Sequence, residues 1–266
     1  MADHGVRVER RGPISVVTMA REPVNSMSLE VWEALLAALR AAEADPEVRG
    51  LLFTSGLSRD VFTAGNDLKE LHARFTTRER HEKFWKAQTE FLALLLNSPL
   101  ATCAAVRGAC PAGGCALAIC CDVRVAEPGA SMGLNEVALG IGVPPYWAEV
   151  FCNLVGRGTG DRLLQTARMV KAPEALTIGL VDQVVEDKES LVGAAQKALD
   201  SRLRFPDGGR AATKAALRKR LSDAWLGYCA EEQRLGWEML NTPQVVAALD
   251  GVLARLQGGG KKKAKL

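Results

Sequence analysis

The chain has 266 residues, 48% hydrophobic and 24% charged, which is enough apolar material for one large folded unit and excludes a disordered, strongly charged chain. No apolar run approaches the roughly 18 residues that mark a membrane-spanning helix; the longest candidate, residues 92–96, sits between Glu90 and Asn97. The net charge is +3, and Lys261, Lys262, Lys263 and Lys265 lie in the last six residues, so the body is close to neutral and has no basic stripe interleaved with aromatics for nucleic acid.

In chain order, residues 6–10 and 14–19 read as two short strands around Gly12-Pro13, a hairpin signal. Ser28 can cap a helix carrying Leu29, Trp32, Leu35, Leu36 and Leu39 on one face, and Asp45-Pro46 ends it. Residues 48–54 form a β-rich run, followed by a loop through Gly65. Thr76-x-x-Glu79 is a capping box before a long helix that ends near Ser98-Pro99. Residues 101–106 read as a buried strand, 108–114 as a loop, 114–120 as a small-residue helix and 123–126 as another strand. This alternation predicts an α/β domain. From Tyr146 onward the pattern is mostly helical, with one strand at 181–185.

The expected organisation is a core over 1–204, a helical C-terminal region over 205–257 and a flexible basic tail over 258–266. The helical region holds Trp225, Leu235, Trp237, Met239, Leu240, Val245, Val246 and Leu249, more than a lone helical hairpin hides, which suggests docking on a neighbouring subunit.

Seven cysteines occur without a C-x-x-C, and His4, His72 and His81 keep no ligand spacing with them. Reduced buried thiols in an intracellular protein are expected rather than zinc. Gly156-x-Gly-x-Gly160 lacks the spacing and preceding strand of a nucleotide loop and reads as a helix–helix turn, and no G-x-S-x-G hydrolase elbow is present.

Three segments carry chemistry. Val61-Phe-Thr-Ala-Gly-Asn-Asp-Leu-Lys69 ends a strand in a glycine turn, with Asn66-Asp67 opening a helix. Gly108-Ala-Cys-Pro-Ala-Gly-Gly-Cys115 opens a second helix, where Gly113 and Gly114 allow close approach to the main chain. Free N–H groups at two helix starts can bind an oxyanion if they converge. Gly133-Leu-Asn-Glu136-Val-Ala-Leu-Gly140 places a carboxylate in an apolar stretch, where its pKa should rise into the range of a base. Spacing alone does not bring the three together.

The order and spacing of these segments resemble the crotonase (enoyl-CoA hydratase/isomerase) superfamily over nearly the whole chain. Pro23-Val-Asn-Ser-Met-Ser28, Phe84-Trp-Lys86, Cys110-Pro-Ala-Gly-Gly-Cys115 and Gly133-Leu-Asn-Glu136 look like its Δ3,Δ2-enoyl-CoA isomerase branch. The resemblance implies an α/β fold: a crotonase-like spiral of ββα units with a helical C-terminal trimerisation region. It puts the oxyanion-hole N–H groups on Asn66 and Gly113 and the carbonyls that meet coenzyme A around Ala64, Asn66 and Leu68. Lys69 and Arg21 fall where family members keep cations near the coenzyme's phosphates. No cofactor is implied, because coenzyme A is part of the substrate, and no metal; the implied assembly is a homotrimer or a dimer of trimers.

One departure bears on the reaction. The family's hydratases carry two glutamates twenty positions apart; Glu136 fills the second place and Ala116 the first. Hydration needs a water held between two acid/base groups, whereas moving a double bond needs one carboxylate to take a proton from C2 and return it at C4. Carboxylates that dienoyl-CoA isomerases place at positions matching Ala116 and Pro144 are absent as well. The expected function is therefore a Δ3,Δ2-enoyl-CoA isomerase acting on cis- or trans-3-enoyl-CoA in β-oxidation. Ile141, Val143, Pro144, Tyr146 and Trp147 are candidates for the acyl pocket. Alternatives are thioester hydrolysis, weak hydration, or a non-catalytic RNA-binding protein on the same fold. The terminal Ala264-Lys265-Leu266 is one substitution from the Ser-Lys-Leu peroxisomal address, so import through the receptor for that signal is expected, with the cytoplasm as the alternative.

Overall fold

A six-stranded sheet with helices on both faces organises the first two hundred residues. The computed structural model describes the backbone of residues 4–263 and the side chains of residues 4–256. Strands β1 (Val6–Arg11) and β2 (Ile14–Met19) form the expected hairpin. Helix α1 (Leu29–Ala44) then returns the chain to β3 (Gly50–Ser55), parallel to β2. A short helix α2 (Leu68–Leu71) and the long α3 (Arg78–Asn97) precede β4 (Ala101–Val106). After β5 (Ala109–Pro111) and α4 (Gly113–Cys120), β6 (Val123–Ala126) rejoins the sheet. Its order is β1-β2-β3-β4-β6-β9, with β9 being Gln183–Val184; all pairings except the β1–β2 hairpin are parallel.

Every residue of β4 is buried, as expected of a parallel strand covered on both faces. Ala104 and Val106 join the core under α1, α3 and α4. Ala101, Cys103 and Ala105 face α8 (Leu191–Leu203), whose Leu191, Ala195, Leu199 and Leu203 fill the other side.

A second, three-stranded sheet, β5-β7-β8, sits beside the first, with β7 at Ser131–Gly133 and β8 at Val170–Lys171. Between β7 and β8 run a 3-10 turn at Glu136–Leu139 and helices α5 (Pro145–Val155) and α6 (Arg157–Gln165), and α7 (Ala172–Thr177) follows β8. Gly156 alone joins α5 to α6; Gly158 and Gly160, read with it as a helix–helix turn, lie within the start of α6.

Helix α9 (Asp207–Leu240) runs for 34 residues along α3. Its contact face is polar at intervals. Lys214 Nζ meets Asp122 Oδ2 and the Leu100 carbonyl, each at 2.6 Å, and Arg218 meets Asp122 Oδ1 at 3.0 Å. Ser222 donates to the Ala93 carbonyl at 2.7 Å, and Thr89 donates to Glu232 at 3.2 Å. Trp225, Leu240, Val245 and Leu249 are buried within the chain itself, so much of the apolar surface expected to seek a neighbouring subunit is covered by the chain's own body. Helix α10 (Pro243–Lys263) continues through residues 258–263, where the sequence suggested the start of a flexible tail. An established helix adds a hydrogen bond with each further residue. The terminal Ala264-Lys265-Leu266 lies outside the described residues.

Candidate active site

The site is assembled where the two sheets meet. Met27 forms a parallel bridge with Asn66: the Met27 N–H donates to the Gly65 carbonyl and the Asp67 N–H to the Met27 carbonyl, each at 2.9 Å. Such a bridge uses the groups of the residues on either side, so the N–H and C=O of Asn66 face away from it. Asp67 caps α2 by accepting from the Lys69 N–H at 3.1 Å.

Asn25, fully within the core, braces this loop. Its side-chain amide donates to the Met19 and Phe62 carbonyls, and its carbonyl accepts from Thr63 Oγ1 at 2.6 Å. Thr63 Oγ1 in turn accepts from the Gly65 N–H at 3.0 Å. Asn25 lies in a stretch that carries the family likeness, but its bracing role depends on long-range contacts that no local pattern reveals.

The second loop is held by the small sheet. Pro111 pairs with Gly133 across β5 and β7, and the Ala112 N–H donates to the Gly133 carbonyl at 2.9 Å. Ala112 takes φ 49°, ψ −123° just before α4, a sparsely populated conformation for a residue with a Cβ and the sort of strain that surrounding contacts must enforce. It aims Gly113 and Gly114, the first residues of α4, whose N–H groups have no intrahelical acceptor.

The two loops touch. A Cβ on Gly65, which has φ +84°, would lie 3.2 Å from Ala112 Cβ and 3.5 Å from the Gly113 nitrogen. A Cβ on Gly113 would lie 2.9 Å from Asn66 Oδ1 and 3.1 Å from Met27 Cε. Gly65 takes a backbone conformation that favours glycine, and a side chain at Gly113 would crowd Asn66 and Met27.

Glu136 follows Gly133 by three residues, so the strand pairing that holds the Gly113 loop also sets the carboxylate. It is 7% exposed, and neither carboxylate oxygen has a hydrogen-bond partner. Burial pushes its pKa up from 4.5 to about 7, with its own backbone N–H opposing the shift. The Cys115 thiol, in the first turn of α4, is raised first by burial, then by Cys110 and by the charge of Glu136, which places Glu136 near the start of that helix. The structure thus brings Asn66, Gly113 and Glu136, separated by up to 70 positions in sequence, into one region. Ala116, fully buried on α4, offers no second acid/base group.

The outlying candidates divide. Ala64 and Lys69 are exposed, and Leu68 is half-buried against the core. Arg21 donates to Ser26 Oγ at 3.0 Å and pairs with Asp67 at 3.3 Å, so the cation is tied to the cap of α2. Of the pocket candidates, Ile141, Pro144 and Trp147 are buried and Val143 is half-buried, whereas Tyr146 turns toward α9: its ring stacks on Trp225 at 5.7 Å and its hydroxyl donates to the Ala224 carbonyl. Among the described residues, no group of three His, Cys, Asp or Glu side chains could hold a metal, and the seven cysteines are free.

Residues 9–255 match the family described as enoyl-CoA hydratase/isomerase. Enoyl-CoA delta isomerase 1, mitochondrial, of Mus musculus is 35% identical over 226 residues, 84% of this chain and 77% of that protein. Its Homo sapiens counterpart is 38% identical over 209 residues, 77% of this chain and 68% of that one. A short-chain-enoyl-CoA hydratase of Clostridium acetobutylicum is 33% identical over 196 residues, 73% of this chain and 74% of the other. The crystal structure of human mitochondrial Δ3-Δ2-enoyl-CoA isomerase superposes with a TM-score of 0.91 and 32% identity, covering 96% of this chain and 99% of that one. By sequence and by fold, this chain belongs to the enoyl-CoA hydratase/isomerase family.

Proposed function

We infer that the protein is a Δ3,Δ2-enoyl-CoA isomerase, converting cis- or trans-3-enoyl-CoA to trans-2-enoyl-CoA. The observation that carries this reading is a single buried, unpartnered carboxylate beside two loops with free N–H groups, in a chain similar to enoyl-CoA delta isomerases. Glu136 takes a proton from C2 of the acyl chain. The thioester oxygen gains negative charge, which the backbone N–H groups of Asn66 and Gly113 stabilise, and the electron pair spreads over a dienolate. The same carboxyl returns the proton at C4, leaving the double bond between C2 and C3. No water enters, and Ala116 provides nothing to activate one. A base with a pKa of about 7 is half ionised near neutral pH and, once protonated, can give the proton back.

Carbonyls around Ala64, Asn66 and Leu68 meet the coenzyme A part, with Lys69 and Arg21 toward its phosphates. Arg21 fulfils that role while sharing Asp67. Purified protein with trans-3-hexenoyl-CoA is expected to form the conjugated thioester, read by ultraviolet absorption. Glu136→Gln should reduce kcat about 10³-fold, the range of a lost general base. Equal turnover in the variant, or hydration as the main outcome, would sink the mechanism.

Two wider readings go with this one. The basic C-terminus ending Ala264-Lys265-Leu266 suits peroxisomal import by its receptor. A reporter carrying these last residues should enter peroxisomes and lose that location when Leu266 is removed; a reporter that stays in the cytoplasm rejects it. Exposed Leu176, Phe205 and Leu217 suit burial against further copies in a trimer or a dimer of trimers. Sedimentation of the purified chain as a monomer would reject that assembly.

A further inference from the structure

The side chain of Asn66 is held from both ends by two fully buried residues that the reaction scheme does not use. Trp32 on α1 donates its indole N–H to Asn66 Oδ1 at 3.1 Å. Asn66 Nδ2 donates to Gln88 Oε1 on α3 at 2.7 Å. The direction of this chain is fixed by chemistry. An indole nitrogen can only donate, so Asn66 must turn its oxygen to Trp32 and its nitrogen to Gln88. Gln88 must then present its oxygen, and its Nε2 is left buried without an acceptor. Burying an unpaired donor is costly, and an apolar residue at position 88 would pack α1 against α3 without that cost.

The clamp acts where the two oxyanion loops meet. Asn66 Oδ1 lies 2.9 Å from the Cβ position of Gly113, so a shift of the Asn66 side chain alters the spacing of both loops. Its backbone is otherwise held at one isolated bridge to Met27. Trp32 and Gln88 stand on helices packed side by side, with Trp32 against Phe91 of α3 at 5.7 Å between ring centroids. The loop is thereby tied to fully buried residues on two packed helices.

We propose that Trp32 and Gln88 are positioning residues for the oxyanion hole, clamping the Asn66 side-chain amide so that the Asn66 and Gly113 N–H groups keep their spacing. The proposal rests on the reading of those two N–H groups as the oxyanion donors.

Three substitutions in the full chain test it. Gln88→Met removes the acceptor at similar volume, Trp32→Phe removes the indole N–H, and Gln88→Glu keeps an acceptor oxygen and replaces only the unpartnered nitrogen. Steady-state kinetics with trans-3-hexenoyl-CoA are measured for each. The absorption of bound trans-2-hexenoyl-CoA is measured in a Glu136→Gln background, because its band moves to longer wavelength as its carbonyl oxygen is more strongly hydrogen-bonded. Gln88→Met and Trp32→Phe are each expected to lower kcat about tenfold, less than outright loss of a donor, with KM within about twofold. Both should shrink the absorption shift, and the double variant should be about as impaired as the worse single one. Gln88→Glu should keep kcat within about threefold of wild type, rescuing what Gln88→Met loses.

Folded Gln88→Met and Trp32→Phe with wild-type kcat and absorption shift, and only a lower melting temperature, would overturn the proposal. So would Gln88→Glu folding but performing as poorly as Gln88→Met. If a position-88 variant fails to fold, Trp32→Phe decides alone. A wild-type protein that shows neither turnover nor absorption shift rejects the reading of the oxyanion donors, an outcome distinct from variants that match an active wild type.

Discussion

At the scale of single residues, Glu136 has the signature of a group kept for chemistry at the expense of stability. Its carboxyl titrates at about 7 in the folded protein, against 4.5 for an ordinary glutamate, because burial disfavours the charged form. Below pH 4.5 the group is protonated in both the folded and unfolded chains and no penalty exists. As pH rises from 4.5 towards 7, the unfolded chain ionises while the folded one stays protonated, so the stability present at low pH is lost, and the loss is complete once pH has passed through the folded value. The interval between the two values corresponds to about 3 kcal/mol. Glu136→Gln, which does not titrate, should therefore gain on wild type by about that amount between pH 4.5 and pH 8, measured by denaturant unfolding at each pH. Parallel stability curves would mean that the carboxylate is solvated. Activity should follow the opposite limb: kcat/KM of wild type rises with pH through about 7 as the base ionises, and a flat profile from pH 5 to 8 would remove Glu136 from that role.

At the scale of elements, what could be read locally was formed locally. The period of Leu29, Trp32, Leu35, Leu36 and Leu39 gives one buried stripe on α1, and the mostly small and apolar run at 101–106 becomes the buried strand β4. The ends were less legible, because caps depend on what else is nearby. Ser28 stands at the start of α1 but makes no side-chain cap; Glu70, forty-one positions away, accepts from the Leu29 N–H at 3.1 Å and also binds Arg80. The capping residue of α3 is Thr77, which accepts from the Arg80 N–H, rather than Thr76. That leaves Glu79 free to pair with Lys83 on the exposed face. Strands β5, β7 and β8, with three, three and two residues, are too short for an alternation pattern to register, and they exist because partners lie beside them, whereas the strand expected at 181–185 forms as the shorter β9. The site follows the same division. Glu136, Asn66 and Gly113 stand out as a carboxylate and two helix starts, whereas Asn25, Trp32 and Gln88, which hold the loops, look like ordinary helix and turn residues until distant contacts are known. Orientation explains Tyr146: next to Trp147 in sequence, it points into α9 because adjacent helical residues face different ways.

At the scale of the whole molecule, the C-terminal helices close over the region that the sheets assemble. Helix α9 runs along α3, and the chain then turns so that α10 lies against the segment after Glu136. The Gly142 N–H meets Met239 Sδ at 3.2 Å, and a Cβ on Gly140 would lie 3.7 Å from both Gln244 Nε2 and Val245 Cγ2. On its other flank α10 reaches the segment after Asn66: Asp250 meets His72 Nε2 at 3.2 Å and Arg74 at 3.3 Å. One helix therefore bridges the segments that follow Glu136 and Asn66, and Val245 and Leu249 are its buried anchors. Truncating a buried leucine to alanine costs about 2–5 kcal/mol when the site cannot collapse. Terminal elements open before the core does, so that cost should appear as local undocking of α10. Leu249→Ala is expected to speed amide hydrogen exchange in residues 243–256 by at least about tenfold, the equivalent of about 1.4 kcal/mol, while β3 and β4 keep their protection. KM for 3-enoyl-CoA should rise in the same variant, because the segment beyond Glu136 loses its support. Exchange that accelerates uniformly through the sheet would make α10 part of the global folding unit, and an unchanged KM with α10 undocked would separate it from the site.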